Sequence, residues 1–240
     1  MLALILAGGE GSRLRLGEKA LVTVAGRPML SRVIEAFAQA DVEPVVVTSH
    51  KTPFTRNFCR ANDIEFIDTE GAGYVEDMCE AVSLSGEDGP LFTAAADIPY
   101  LTADIINTVR DAYFKSGKPA CSTWIPISIC EEFGMLPRYK EMINGVCATP
   151  CALNILTGSL AGEVQDELAV LLNEPGLAFN VNTREELAAA EKMFEAIGKK
   201  KNQRRGDISL EILSFIRTIT DLFLYISRVI SVQFDSSSFR

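Results

Sequence analysis

After its first few residues the chain reads Leu6-Ala7-Gly8-Gly9-Glu10-Gly11-Ser12-Arg13-Leu14-Arg15-Leu16-Gly17-Glu18-Lys19. Gly8, Gly9 and Gly11 lack a Cβ, so the backbone there can take positive φ and bring its N–H groups close to an anion. Arg13, Arg15 and Lys19 add mobile positive charge beside it. A triphosphate is the ligand that uses both features. The two common phosphate loops do not fit. No Gly-Lys-Ser/Thr follows the glycines, and basic residues replace the tight helix start of the dinucleotide fingerprint.

Two further segments end apolar runs on polar groups. Ala94-Ala95-Ala96-Asp97-Ile98-Pro99 is a strand pattern that stops on a carboxylate just before proline. A single Asp together with phosphate oxygens is how Mg²⁺ is commonly held beside a nucleotide, so Asp97 is a metal candidate; the alternative is a cap on the next turn. In Phe179-Asn180-Val181-Asn182-Thr183, period two puts Asn180 and Asn182 on one face. Asn182, with Asn180 as an alternative, completes a metal shell or holds phosphate or ribose; otherwise Asn182 or Thr183 caps the last helix. His50, the one histidine, has no nucleophile or orienting carboxylate near it in sequence and reads as a polar turn residue.

These segments need a scaffold that brings strand ends together. Apolar runs rich in β-branched residues alternate with helical patterns over the first 198 residues, the signature of an α/β protein with a parallel sheet. Strands are expected at Leu2 to Leu6, Pro44 to Thr48, Ile64 to Asp68, Leu91 to Ala95, Ala120 to Trp124, Ala152 to Leu156 and Leu177 to Val181. Helices are expected at Met29 to Ala40, Val75 to Leu84, Ala103 to Ser116, Gly162 to Leu172 and Arg184 to Ile197. Thr183 and Glu186 stand at capping-box spacing before the last of these. In open α/β sheets the ligand crevice lies at the carboxyl ends of the strands, where the glycine loop and Asp97 both fall.

The 240 residues suit one domain with an appendage. A net charge of -9 argues against a nucleic-acid partner, because phosphate backbones reward a basic surface. Yet five of the 15 basic residues before Lys199 (Arg13, Arg15, Lys19, Arg27 and Arg32) lie within twenty positions, beside the glycine loop. The six cysteines form no Cys-x-x-Cys pair, which argues against a zinc site and for buried thiols in a reducing cytoplasm. A boundary is expected near Gly198, dividing residues 1–198 from a basic linker and tail, 199–240. Apolar positions from Ser209 to Val232 make an amphipathic helical stripe, interrupted by Glu211, Arg217, Asp221 and Arg228 and so unsuited to a bilayer span. Packing of that stripe on the body, or on a second copy as a homodimer, is favoured over contact with a membrane surface.

With these residues in view, Leu6-Ala7-Gly8-Gly9-x-Gly11-x-Arg13, the following Lys19, and Asp97 before Pro99 resemble a nucleotidyltransferase superfamily. It includes molybdenum cofactor guanylyltransferases and sugar-nucleotide pyrophosphorylases. Thr48-Ser49-His50-Lys51-Thr52-Pro53, Asp68-Thr69-Glu70-Gly71-Ala72-Gly73-Tyr74-Val75-Glu76-Asp77 and Phe179 to Thr183 together resemble the archaeal adenosylcobinamide-phosphate guanylyltransferases. The resemblance implies a three-layer, mostly parallel Rossmann-like sheet with helices on both faces. It implies Mg²⁺-dependent transfer of GMP from GTP to adenosylcobinamide phosphate, releasing pyrophosphate. Phosphate binding falls to Leu6, Ala7, Gly8, Gly9, Gly11, Ser12, Arg13 and Lys19, with Arg13 and Lys19 catalytic. Guanosine recognition falls to Thr48, Ser49, Asp68, Thr69, Gly71, Gly73, Tyr74 and Asp77, and the acceptor side to Pro150 and Asn154. A glycine is expected where Ala152 stands. Molybdopterin or a sugar phosphate as acceptor, and a non-enzymatic nucleotide-binding assembly protein, are the other readings; the intact glycine loop, Lys19 and Asp97 count against the last.

Overall fold

The computed structural model describes residues 1–9 and 11–196. Strand β1 (Leu2–Leu6) is Leu-Ala-Leu-Ile-Leu, and its middle three residues are inaccessible to solvent. A run that apolar, without alternation, is what a strand covered on both faces requires. β1 pairs in parallel with β4 (Glu43–Ser49) on one side and β6 (Pro90–Ala95) on the other, and β5 (Phe66–Thr69) adds in parallel outside β4. Beyond β6 the direction changes. β9 (Val146–Thr157) runs antiparallel to both β6 and β7 (Ala120–Pro126), and β10 (Glu167–Leu171) closes that end in parallel with β7. The order is β10-β7-β9-β6-β1-β4-β5, with β8 (Glu141–Ile143) also paired to β9; β2 (Thr23–Val24) and β3 (Arg27–Pro28) form a separate ribbon. The sheet is therefore mixed but mostly parallel, as expected for the α/β class.

Helices connect the strands: α1 (Met29–Gln39), α2 (Pro53–Ala61), α3 (Tyr74–Ser85), α4 (Ala103–Ser116) and α5 (Ile127–Glu132), with α6 covering 184–196. Phe37 of α1 meets Phe92 of β6 with ring centroids 5.5 Å apart. Ala81 and Val82 of α3 pack with Leu4, Val45, Val47 and Leu91. Each such fully buried Leu or Val contributes about 1.5–3 kcal/mol against exposure. α4 opens on Thr102, whose hydroxyl accepts the Ile105 N–H, and ends at Gly117 with φ +67°. The predicted capping box of α6 is formed in both directions: the Glu186 N–H reaches Thr183 Oγ1 and the Thr183 N–H reaches Glu186 Oε2.

Two expected elements are corrected. Residues 162–172 do not form a helix; Glu167–Leu171 is strand β10, paired with Ala120 to Trp124. Its short apolar run fits either period, and the vacant edge of β7 decides the outcome. Leu177 to Val181 is not a strand. Pro175–Ala178 is a single 3₁₀ turn, and Phe179 then inserts between the rings of Phe133 and Tyr100. The inward side chains gave the segment a strand-like pattern, but it has no ladder partner. Helices α2 and α5, both short, had no signal strong enough to be read.

Residues Met1–Glu191 form one compact unit, and a second begins at Lys192, of which 192–196 are described and helical. The expected boundary near Gly198, the basic linker and the 209–232 stripe lie outside the described residues. No described helix is long and apolar enough to cross a membrane.

Candidate active site

Because β1, β4, β5 and β6 are parallel, the turns that follow Leu6, Ser49, Thr69 and Ala95 all emerge at one edge of the sheet. Pairing extends one residue beyond the strands: the Ala7 N–H donates to Val47 O and the Ala96 N–H to Leu6 O. Ser49 Oγ donates to Gly8 O at 3.1 Å, fixing the start of the loop. Further on, fully buried Leu14 anchors the turn, and its N–H closes onto Gly11 O at 2.9 Å. Gly11 has φ +67°, and a Cβ placed on it would lie 2.7 Å from Lys19 Cβ. Only glycine serves there, since any other residue would push away the backbone that carries Lys19.

Lys19 Nζ forms an ion pair with Asp97 Oδ2 and donates to Asn182 Oδ1 at 2.6 Å. Arg13 donates to the same Asn182 oxygen at 3.2 Å. Asn182 Nδ2 donates in turn to Asn180 Oδ1 at 2.6 Å, so the amide oxygen is held towards the two cations. The Asn182 backbone N–H is bound by Glu186, and the Val181 N–H by Asp97 O. Thus the two polar segments singled out in sequence, around Asp97 and Asn182, meet across Lys19.

These groups border a cavity of about 510 Å³. Leu6, Ala7, Gly8, Gly9, Gly11, Ser12 and Lys19 line it from the glycine loop, Gly71, Gly73, Tyr74 and Asp77 from the turn after β5 and the start of α3, and Asp97, Asn180 and Asn182 complete the lining. Thr48, Ser49, Asp68 and Thr69 do not line it. Thr48 is inaccessible, its hydroxyl on Asp68 Oδ1 at 2.5 Å; Asp68 also pairs with Arg56, and Thr69 Oγ1 donates to Thr48 O. Thr48, Ser49 and Thr69 are buried at the ends of β4 and β5, and Asp68 is exposed. Gly71, at φ +71°, packs over exposed His50, with room for no Cβ nearer than 3.2 Å to the imidazole. Tyr74 leaves half its surface open, yet the surroundings of its phenol, and secondarily the charge of Asp97, push its pKa up to about 12. It remains a hydrogen-bond donor throughout the neutral range.

A second cavity, of about 380 Å³, shares Asn180 and Asn182 with the first. Arg13 and Arg138 give it positive charge, and Met135, Leu136, Pro137 and Pro150 apolar walls. Asn154 lines neither cavity; it lies in β9 opposite Thr93 and Ser122. Two charged lining residues, Lys51 and Arg138, have no role of their own in the sequence analysis. Lys51 was within reach as the cation in the turn after β4, whereas nothing local marks Arg138. Ala152 has φ +56°, the left-handed backbone a glycine would adopt freely.

Among the described residues no three His, Cys, Asp or Glu side chains are grouped to hold a metal. Asp97 Oδ1, however, is buried and without a hydrogen-bond partner, and Asn182 Oδ1 points to the same ammonium as Asp97 Oδ2. Two hard oxygens around one cation fit Mg²⁺, provided that a ligand's oxygens and water supply the remainder.

Comparison with known proteins gives concordant results. The family model for the MobA-like NTP transferase domain matches residues 3–193. An adenosylcobinamide-phosphate guanylyltransferase from Methanocaldococcus jannaschii is 29% identical over 204 residues, covering 82% of this chain and 98% of that protein. A Thermococcus kodakarensis protein named "Probable molybdenum cofactor guanylyltransferase" is 30% identical over 122 residues, 50% of this chain and 58% of the relative. Molybdopterin-guanine dinucleotide biosynthesis protein A from Archaeoglobus fulgidus superposes with a TM-score of 0.59 at 18% identity, covering 82% of this chain and 100% of that one, which is a likeness of fold.

Proposed function

The chain belongs to the MobA-like NTP transferase domain family, a nucleotidyltransferase, and we propose that it transfers GMP from GTP to adenosylcobinamide phosphate with release of pyrophosphate. The observation that carries this reading is the meeting of two cavities at Asn180 and Asn182, beside Lys19 and Asp97. A triphosphate along the glycine loop and a phosphorylated acceptor in the second cavity would face each other at that junction. The choice of guanine and of a corrinoid acceptor is supported by the likeness to the M. jannaschii relative, which extends over nearly all of that protein.

The chemistry asks for positioning and charge more than for proton transfer. The acceptor phosphate is already anionic at neutral pH, so its oxygen needs no general base to attack the α-phosphorus in line. The P–O bond to pyrophosphate breaks as the new one forms, and negative charge spreads over the α-phosphoryl oxygens and the leaving group. The loop N–H groups of Gly8, Gly9 and Gly11 hold the phosphate chain, and Lys19 turns from Asp97 onto the oxygens that gain charge. Arg13 and Arg138 hold the incoming phosphate, and exposed Leu136 offers apolar surface to the body of the acceptor. Asp97 and Asn182 would hold Mg²⁺, which supplies charge neutralisation on the phosphates.

Pyrophosphate release, measured with each of the four NTPs against adenosylcobinamide phosphate, molybdopterin and a sugar phosphate, tests the proposal. Turnover confined to GTP with adenosylcobinamide phosphate is expected. Consumption of GTP with molybdopterin instead would overturn the acceptor while keeping the donor.

A further inference from the structure

We propose that Glu18 is a positioning residue for Lys19, acting as a helix cap that the phosphate loop supplies to α2; this rests on the reading that the first cavity binds GTP. α2 begins at Pro53 after Thr52, and a threonine in that place ordinarily turns its hydroxyl onto the amides two and three residues ahead. Here it does not. Thr52 is inaccessible, and its hydroxyl accepts the Ser49 N–H at 3.1 Å and donates to Ser49 O, closing the turn that leaves β4. The N–H groups of Phe54 and Thr55 go instead to the two carboxylate oxygens of Glu18, at 2.8 and 2.6 Å. Both are orphan donors of a helix N-terminus, where a carboxylate gains from the helix dipole as well as from the hydrogen bonds.

The partners lie 36 and 37 positions apart in the chain, so the contact is tertiary. Lys19 is the next residue. Gly11 presses on its backbone from another side, so its Cα is fixed at two points before its ammonium reaches Asp97 and Asn182. The turn that Glu18 caps also carries Lys51, which lines the same cavity and donates to Gly71 O at 2.5 Å. Glu18 therefore ties the segment that carries one cation of the cavity, Lys19, to the segment that carries another, Lys51. A carboxylate beside the catalytic lysine that neither faces the cavity nor pairs with that lysine is explained by this bridge.

The test uses the full chain in four variants: Glu18→Ala, Glu18→Gln, Lys19→Met and the Glu18→Ala/Lys19→Met double, assayed below the lowest melting temperature among them. Misplacing a catalytic group by about 1 Å costs on the order of 10²-fold. Glu18→Ala is accordingly expected to lower kcat roughly 10- to 100-fold, with a smaller change in GTP affinity by calorimetry. Glu18→Gln keeps an oxygen acceptor without the charge and should recover a substantial part of that loss; if Glu18→Ala does not fold, Glu18→Gln still carries the comparison. In the Lys19→Met background, removing Glu18 should change kcat by less than about threefold, because coupled groups are not additive. A wild-type kcat in Glu18→Ala, or independent losses that multiply in the double variant, would overturn the proposal. Wild-type protein that binds no GTP would instead overturn the nucleotide reading on which it stands.

Discussion

At the scale of single residues, Lys19 has two partners before any substrate arrives, Asp97 and Asn182. Its ammonium occupies the place between the oxygens that would meet a metal ion. Nucleotide-free Lys19→Met should bind Mn²⁺ more tightly than wild type in an electron paramagnetic resonance titration, while its kcat falls roughly 10²- to 10³-fold, the range for losing one charge-stabilising donor. The same substitution leaves Asp97 buried without its counter-ion, and removing one partner of such a pair typically costs about 3–5 kcal/mol. Thermal melting should show a drop for Lys19→Met that Lys19→Met/Asp97→Asn partly restores. Ala152 offers a second residue-level test. A left-handed backbone costs an L-residue about 1–2 kcal/mol, and glycine gives back about 0.5–1 kcal/mol of that through its own entropy. Ala152→Gly should therefore hold or slightly raise the melting temperature, and Ala152→Val should lower it, which a melt of both variants checks.

At the scale of elements, α6 and the 133–140 connection between α5 and β8 carry the remaining parts of the site. The capping box of α6 also fixes Asn182, since Glu186 binds the N–H groups of both Asn182 and Thr183. Thr183→Ala should cost about 1 kcal/mol in urea unfolding. Arg138 reaches the second cavity from the α5–β8 connection, so Arg138→Ala should raise the acceptor KM and leave GTP affinity unchanged by calorimetry. Legibility in the sequence follows the range of the interactions. β1 and its glycine loop could be read because the apolar run and the missing Cβ atoms are local properties, and the Thr183 and Glu186 spacing for the same reason. β10 could not, because Leu168 to Leu171 suits a helix or a strand until the edge of β7 is known. Arg138 and Glu18 enter the candidate site only because the fold brings distant segments together, and Phe179 imitated a strand because two rings from elsewhere bury it.

At the scale of the whole molecule, the chain carries a net charge of -9 while Lys19 and Lys51 line the cavity at one sheet edge. Binding of a polyanion there should weaken as salt screens the pairing, over a Debye length of about 10 Å at 0.1 M. The cysteines report on integrity. Cys147 is exposed, whereas burial pushes the thiols of Cys59 and Cys121 up to about 11 and that of Cys151 up to about 12. With almost no thiolate available at neutral pH in the core, a thiol reagent should label Cys147 first and the buried four only on unfolding, as mass spectrometry of the labelled protein would record. The placement of β9 bears on how the molecule comes into being. A ribosome delivers β7 before the strand that must later separate it from β6, so two sheet margins stay unzipped until residue 157 has emerged. A chain halted short of that point has its nucleotide wall largely drafted but nowhere to seat the recipient, and it presents raw strand edges to its neighbours.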